Sequence, residues 1–330
     1  MMQPTNAVRF LRPAIKGTLN EMLLTTIPEN FGEVELNRLL ATLRLQADPE
    51  IEKIVAPFGD QAIDVCGTGG SGIKKFNTST AVAFILRAAG LSVIKFGNRS
   101  ITGGSGSLDF LSALGFPESV PAKNLERLYV RTGLLFLGAH QCYPALAKLR
   151  EARKRLGVPT LLNYLGPLLN PARPALRYIG ISRLQMLFPI AKLLSSDERV
   201  TSAIAVRSRS GMDELEVGIA YDALQVAETT ISPLRFRYAE CDPITDDQTE
   251  HTPFLHTPDG NAGRFAAIIS GEDRVSEACQ SLLLNAAVAL LAARRASSIN
   301  EGIGLARAVI DDGAVQRNFE LTRRSYNELA

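Results

Sequence analysis

The residues best placed for chemistry are Gly67-Thr68-Gly69-Gly70-Ser71-Gly72, with Asn77-Thr78-Ser79-Thr80 directly after them. They join a short apolar run (62–66) to a helical pattern (79–89). A strand, a glycine turn and a helix N-terminus form a phosphate-binding geometry, because glycine lets the backbone come close and free helix N–H groups face the anion. The glycine spacing is neither the dinucleotide fingerprint nor a Walker A loop, and a tight turn alone would account for it. The hydroxyl and amide side chains at the helix start can cap the helix, hold phosphate oxygens or ligate Mg²⁺.

A second polar segment, Lys95-Phe96-Gly97-Asn98-Arg99-Ser100, follows another apolar run, and a second glycine/hydroxyl loop, Ile101 to Ser107, follows at once. Two such loops at neighbouring strand ends point to a substrate with more than one phosphate. Further along, Gly211-Met212-Asp213-Glu214 places two carboxylates at a strand end, where they are either hard ligands for Mg²⁺ or an ordinary turn. Arg150, Arg153, Lys154 and Arg155 form a basic helix face; it is either solvated or supplies one arginine to a substrate carboxylate. The run from Asn163 to Pro171 reads as a hinge or crossover. His140, His251 and His256 do not cluster, so no catalytic or ligand role is assigned to them.

These residues need elements to position them. Apolar spacing predicts helices over 8–25, 33–46 and 49–56, with Asp48 capping the last and Pro49 in its first turn. From residue 62, short apolar runs alternate with helices (62–66, 79–89, 91–95, 106–114), which predicts βαβ units and a parallel sheet. Helices are expected at 122–132 and 143–155, with no strand between them apart from the short run Leu134 to Leu137, then strands at 177–181, 201–207, 215–219, 223–228 and 233–237, a helix at 183–194, and closing helices at 275–296, 299–312 and 314–328. The expected organisation is a discontinuous small helical domain, 1–60 with 120–170, and a larger α/β domain, 61–119 with 171–330. The substrate lies in the cleft between them.

The chain has 330 residues, 46% apolar and 21% charged, with net charge +2. That is a globular composition, with no charge argument for nucleic acid or a membrane surface. The four cysteines are widely spaced, no apolar helix is long enough to span a bilayer, and no signal peptide is apparent; a cytoplasmic location is expected.

In order, the two glycine loops, Phe76 to Thr80, Lys95 to Ser100, Ser105 to Gly115, Asn163 to Ala172, Gly211 to Glu214 and Leu283 to Leu290 resemble the anthranilate phosphoribosyltransferase family over nearly the whole chain. The resemblance implies a nucleoside-phosphorylase-like fold, a small all-helical domain plus a larger α/β domain with a mainly parallel central sheet. It also implies a homodimer formed through the helical domain, and transfer of a phosphoribosyl group from phosphoribosyl pyrophosphate to the amine of anthranilate. By position, Gly67, Gly70, Asn77, Ser79, Thr80, Lys95, Asn98, Arg99 and Ser107 would bind phosphoribosyl pyrophosphate. Ser79, Asp213 and Glu214 would serve Mg²⁺, and Asn98 and Arg153 would hold the acceptor, with Arg153 on its carboxylate. No acid–base residue is assigned.

Several positions depart from the family pattern. Ser71 stands where an acid is usual, Lys75 for a threonine, Phe96 for a histidine, Gly104 for a lysine and Tyr143 for a histidine. Ser71 and Lys75 are expected among the phosphoribosyl-pyrophosphate contacts, and Gly67, Phe96 and Tyr143 among those of the acceptor. The alternatives are the same transfer to another aromatic or heteroaromatic acceptor, a nucleoside phosphorylase, and a non-catalytic relative that binds a polyanion through 123–131 and 148–155.

Overall fold

The computed structural model describes residues 32–73, 75–100, 104–236 and 256–330. The helix expected over 8–25 lies outside them. Among the described residues the chain order begins with α1 (Glu33–Arg44) and α2 (Pro49–Val55). Leu36, Leu39, Leu40 and Leu43 form the buried stripe of α1, and the Glu35 carboxylate accepts from Gly32 N–H at its start. Asp48 caps α2 as expected, accepting from Glu50 N–H and Ile51 N–H at 3.0 Å each.

Then come β1 (Ala62–Gly67), α3 (Thr78–Ala88), β2 (Ser92–Gly97), α4 (Ser107–Ala113), α5 (Ala122–Thr132) and β3 (Leu134–Gly138). Four short helices follow: α6 (Ala139–Cys142), α7 (Pro144–Ala147), α8 (Arg150–Leu156) and α9 (Leu161–Leu165). The second half contains β4 (Leu176–Gly180), α10 (Leu184–Ser195), β5 (Ser202–Ser208), β6 (Tyr221–Ala227), β7 (Thr230–Pro233), α11 (Pro258–Ser270), α12 (Glu277–Ala292), α13 (Ile299–Asp311) and α14 (Ala314–Leu329).

The strands form one sheet in the order β3-β2-β1-β4-β5-β6-β7, parallel from β3 to β5 and antiparallel at the β5–β6–β7 edge. The chain winds outward from β1 to β3 and then returns to place β4 on the other side of β1. The strand order therefore reverses between β1 and β4, and a crevice opens at their C-terminal ends. Helix α12 is buried almost all round and packs on β4, β5, α3 and α13. Phe84 on α3 lies within 6.0 Å of the Phe116, Phe136, Phe265 and Phe319 rings, which join α3, α11, α14 and β3 in one core. Among the described residues no helix is long and apolar enough to cross a membrane.

Three sequence expectations change, and a fourth narrows. The segment 120–170, assigned to the helical unit, supplies β3, which pairs in parallel with β2 at the sheet's edge. The strand expected at 215–219 does not form, because Leu215 gives both its N–H and its carbonyl to the buried side chain of Asn285 on α12. The helix expected over 143–155 breaks into α7 and α8. The stretch 163–171, expected as a hinge or crossover, is a packed crossover: Tyr164, Leu165, Leu168 and Leu169 are buried, and Asn170 donates to Asp64 (3.0 Å) and to the Ile94 carbonyl (2.8 Å).

Helix α1 is tied to the α/β part through Asp197, which pairs with Arg44 at 2.8 Å and Arg173 at 2.6 Å. Burial alone would raise the Asp197 carboxyl, but the two guanidinium groups hold it below the usual carboxylate range. A depressed folded-state value means that this contribution is complete above about pH 4 and is lost as pH falls through the folded value. Acid unfolding of Asp197→Asn, followed by circular dichroism, should show a shallower loss of stability below about pH 4 than the parent chain.

Candidate active site

All four strands at the crevice end in glycine, and the register sets Gly67 beside Gly180 and Gly97 beside Gly138. This row lets loops lie directly across the sheet edge. A Cβ on Gly180 would run into the Asp213 carbonyl, one on Gly67 into the Asp213 carboxylate, and one on Gly97 would be 2.8 Å from Ser107 Cβ. Asp213 and Ser107 are thus brought over β1, β4 and β2 because their partners have no side chain.

The first glycine loop is held from several directions. Gly69 N–H donates to Asp213 Oδ2 at 2.7 Å, and Ser182, just past β4, donates its hydroxyl to the Gly69 carbonyl at 2.9 Å. Asn77 at the start of α3 donates to the Ser105 carbonyl at 2.9 Å, linking the two glycine loops, and accepts from Asn261 Nδ2 at 2.5 Å. Asn261, fully buried on α11, also donates to the Lys75 carbonyl at 3.3 Å. Sequence reasoning missed Asn261, because 258–270 carries Pro258 and two glycines and was not read as helix.

These loops and α6–α9 enclose a cleft of about 690 Å³, within the range of about 300–1,000 Å³ common for small-molecule sites. Gly67, Gly70, Ser71, Lys75, Asn77, Ser79, Lys95, Asn98, Arg99 and Ser107 all line it, as do Phe96, Tyr143, Arg153, Asp213 and Glu214. Thr80 does not: it points into the interior, is fully buried, and its hydroxyl has no partner. His140 and His256, to which the sequence assigned no role, also line the cleft. His251 lies outside the described residues.

Several side chains are already engaged. Lys95 is 2% exposed and donates to the Val65 carbonyl at 2.6 Å and to Ser79 Oγ at 3.2 Å; burial lowers its basicity. Arg99 pairs with Asp109 at 3.1 Å and Glu118 at 3.0 Å, which fastens its loop to α4. Phe96 and Tyr143 meet edge to face at 5.9 Å, and the Tyr143 hydroxyl is spent on the Leu169 carbonyl at 2.6 Å. They form a firm apolar wall rather than a polar acceptor contact.

Arg153 on α8 is different. It donates to Asn163 Oδ1 at 2.9 Å, its Nε has no partner, and among the described residues no carboxylate faces it. Burial pushes its guanidinium down to about 10. A half-buried cation without an anion is a site for one.

Asp213 and Glu214 were expected to serve Mg²⁺. The Lys75 ammonium sits between them instead, 2.5 Å from Asp213 Oδ1 and 3.1 Å from Glu214 Oε2. Burial pushes both carboxyls up; Lys75 and the Gly69 N–H overcome this at Asp213, which lies below its ordinary value, while Glu214 stays above. The pair as arranged does not fit a metal ion. Among the described residues no group of three or more His, Cys, Asp or Glu side chains could hold one. Ser79, at the start of α3, lines the cleft with a hydroxyl that accepts from the Lys95 ammonium and keeps a second lone pair.

A largely parallel sheet whose reversal point carries two glycine loops opposite a helical wall defines an α/β fold with a ligand cleft, and the family described as "Glycosyl transferase family, a/b domain" matches residues 59–316. Relatives named anthranilate phosphoribosyltransferase in Bacillus cereus (strain AH820) and Bacillus anthracis (strain A0248) are each 32% identical to the chain, over 97% of both sequences. The crystal structure of anthranilate phosphoribosyltransferase from Thermus thermophilus superposes with a TM-score of 0.79 at 25% identity, covering 99% of this chain and 96% of that one. The enzyme from Saccharomyces cerevisiae, solved in complex with PRPP and Mg, has a TM-score of 0.69 at 22% identity, covering 99% of this chain and 98% of that one. The chain belongs to the anthranilate phosphoribosyltransferase family.

The glycine row gives a direct test. Gly180→Ala should destabilise the protein by at least about 2 kcal/mol, because the Asp213 backbone cannot yield. Gly263→Ala, in the open on α11, should instead stabilise by about 0.5–1 kcal/mol. Urea unfolding of both variants would show the contrast.

Proposed function

We propose that this protein transfers the phosphoribosyl group of phosphoribosyl pyrophosphate to the amine of anthranilate and releases pyrophosphate. The observation that carries this reading is the pairing of a two-loop phosphate cradle with an unneutralised arginine, Arg153, across one cleft. The cradle suits the phosphates, and the planar fork of Arg153 suits the carboxylate of the acceptor.

In this reading the loop N–H groups and the buried Lys95 charge stabilise pyrophosphate as the C1–O bond breaks and it departs with the electron pair. The ribosyl carbon becomes oxocarbenium-like, and the amine nitrogen attacks it and then loses a proton. An aromatic amine is already unprotonated near pH 7, so it needs placement more than a base. Asn98 lies in the cleft to position it, and Phe96 with Tyr143 closes the wall behind. Mg²⁺ would supply charge neutralisation for the leaving group, and on this chain the cleft-lining Ser79 is the hydroxyl that would meet it.

The same reading includes two units, a helical one and an α/β one, with substrate between them. It also includes a homodimer through the helical unit, where Val34 and Leu45 on and just past α1 stand exposed. Sedimentation of wild type and Leu45→Glu checks the dimer: dissociation of the variant is expected, and a monomeric wild type removes it.

A second acceptor is the alternative that an observation favours, since Phe96 and Tyr143 leave that wall apolar. Pyrophosphate release from phosphoribosyl pyrophosphate and Mg²⁺, with and without anthranilate, tests the main reading. Release should depend on anthranilate, and Arg153→Ala should raise its KM roughly 10- to 100-fold, the loss of one charge-assisted contact. No anthranilate-dependent release, together with turnover of an aromatic amine lacking the carboxylate, would replace anthranilate as the acceptor.

A further inference from the structure

Lys75 is the residue of the first glycine loop whose side chain turns back onto the loop's own anchor. Its ammonium contacts Asp213 and Glu214, whose side chains are 2% and 12% exposed. Both backbones are pinned. Asp213 crosses Gly180 and Gly67 and accepts from Gly69 N–H, while the Lys75 carbonyl accepts from the buried Asn261. The lysine side chain itself is 25% exposed and is held at its tip by the two carboxylates.

Mg²⁺ requires oxygen ligands at about 2.0–2.1 Å in near-octahedral order, and an ammonium already lodged between the two carboxylates repels it. We propose that Lys75 is a built-in cation standing where a protein-held divalent ion would otherwise sit between Asp213 and Glu214. The acid pair is then a tether for the glycine loop and not a metal site. Two of the three ammonium donors are used, which leaves one for the cleft. Resting on the transferase reading, that donor meets a pyrophosphate oxygen, and divalent ions enter only on the substrate.

Mn²⁺ titration without substrate, followed by the electron paramagnetic resonance signal of the free ion, tests the proposal. Wild type and Lys75→Arg should show no saturable binding that depends on Asp213. Lys75→Thr should bind one Mn²⁺ on the order of tenfold or more tightly than wild type, because a positive charge has left the gap. The double variant Lys75→Thr with Asp213→Asn should lose that site again, and Lys75→Gln carries the same expectation should Lys75→Thr not fold. Saturable wild-type binding that Asp213→Asn removes would overturn the proposal, as would a folded Lys75→Thr or Lys75→Gln that binds no better than wild type. The titration contains no phosphoribosyl donor, so its result stands apart from the transfer assay: a wild type that releases no pyrophosphate would sink the proposed reaction and leave the Lys75 tether untouched.

Discussion

The passage of Asp213 across the ends of β1 and β4 is the constraint on which the cleft depends. It is possible only because Gly67 and Gly180, side by side in the register, carry no Cβ. Once there, the carboxylate holds Gly69 N–H on one oxygen and Lys75 on the other, so the β1 loop takes its curve from a residue far along the chain. Beneath it a second buried pair secures the sheet: Asp64 on β1 faces Arg177 on β4 at 3.4 Å. Asp64 also accepts from Asn170 and from Phe96 N–H, while Arg177 donates to the Pro167 carbonyl. The Arg177 Nε is buried without a partner, so the pair is better understood as specifying geometry than as adding stability, and here it fixes the floor of the site.

The two sides of the cleft differ in character. On the phosphate side the donors are backbone amides and partly neutralised cations, arranged before any ligand arrives. Such preorganisation lets charge be stabilised without rearrangement at the moment of bond breaking. On the acceptor side the wall is the Phe96–Tyr143 pair, and among the described residues neither Arg153 nor its neighbour Arg150, which donates to the Ser100 carbonyl, has a carboxylate partner. Selectivity on that side therefore rests on shape and on these guanidinium groups.

Much of the frame was legible in sequence because it is local. The alternation from residue 62, the stripe of α1, the Asp48–Pro49 start of α2 and both glycine loops follow from periodicity and turn chemistry over a few residues. The misreadings share a different cause. Residues 215–219 have strand-like composition, but Asn285 takes the bonds a strand would need. Thr80 matches a binding motif, yet the turn of α3 points it inward. The meeting of Lys75 with Asp213 and Glu214 was likewise hidden, because their spacing in sequence says nothing about their contact in space. Each outcome was decided by a side chain from another element, which no local pattern carries.

Asn261 has a consequence for how the molecule comes together. It clamps Lys75 and Asn77 from 186 and 184 residues downstream. During synthesis the N-terminal strands and the glycine loop therefore emerge long before the helix that locks them. Long-range closure of this kind is entropically late, since the intervening chain must first be ordered. The sheet can form early, but the cradle becomes a binding site only in the last stage of folding. A nascent chain ending before α11 would have the strands of the site without its grip.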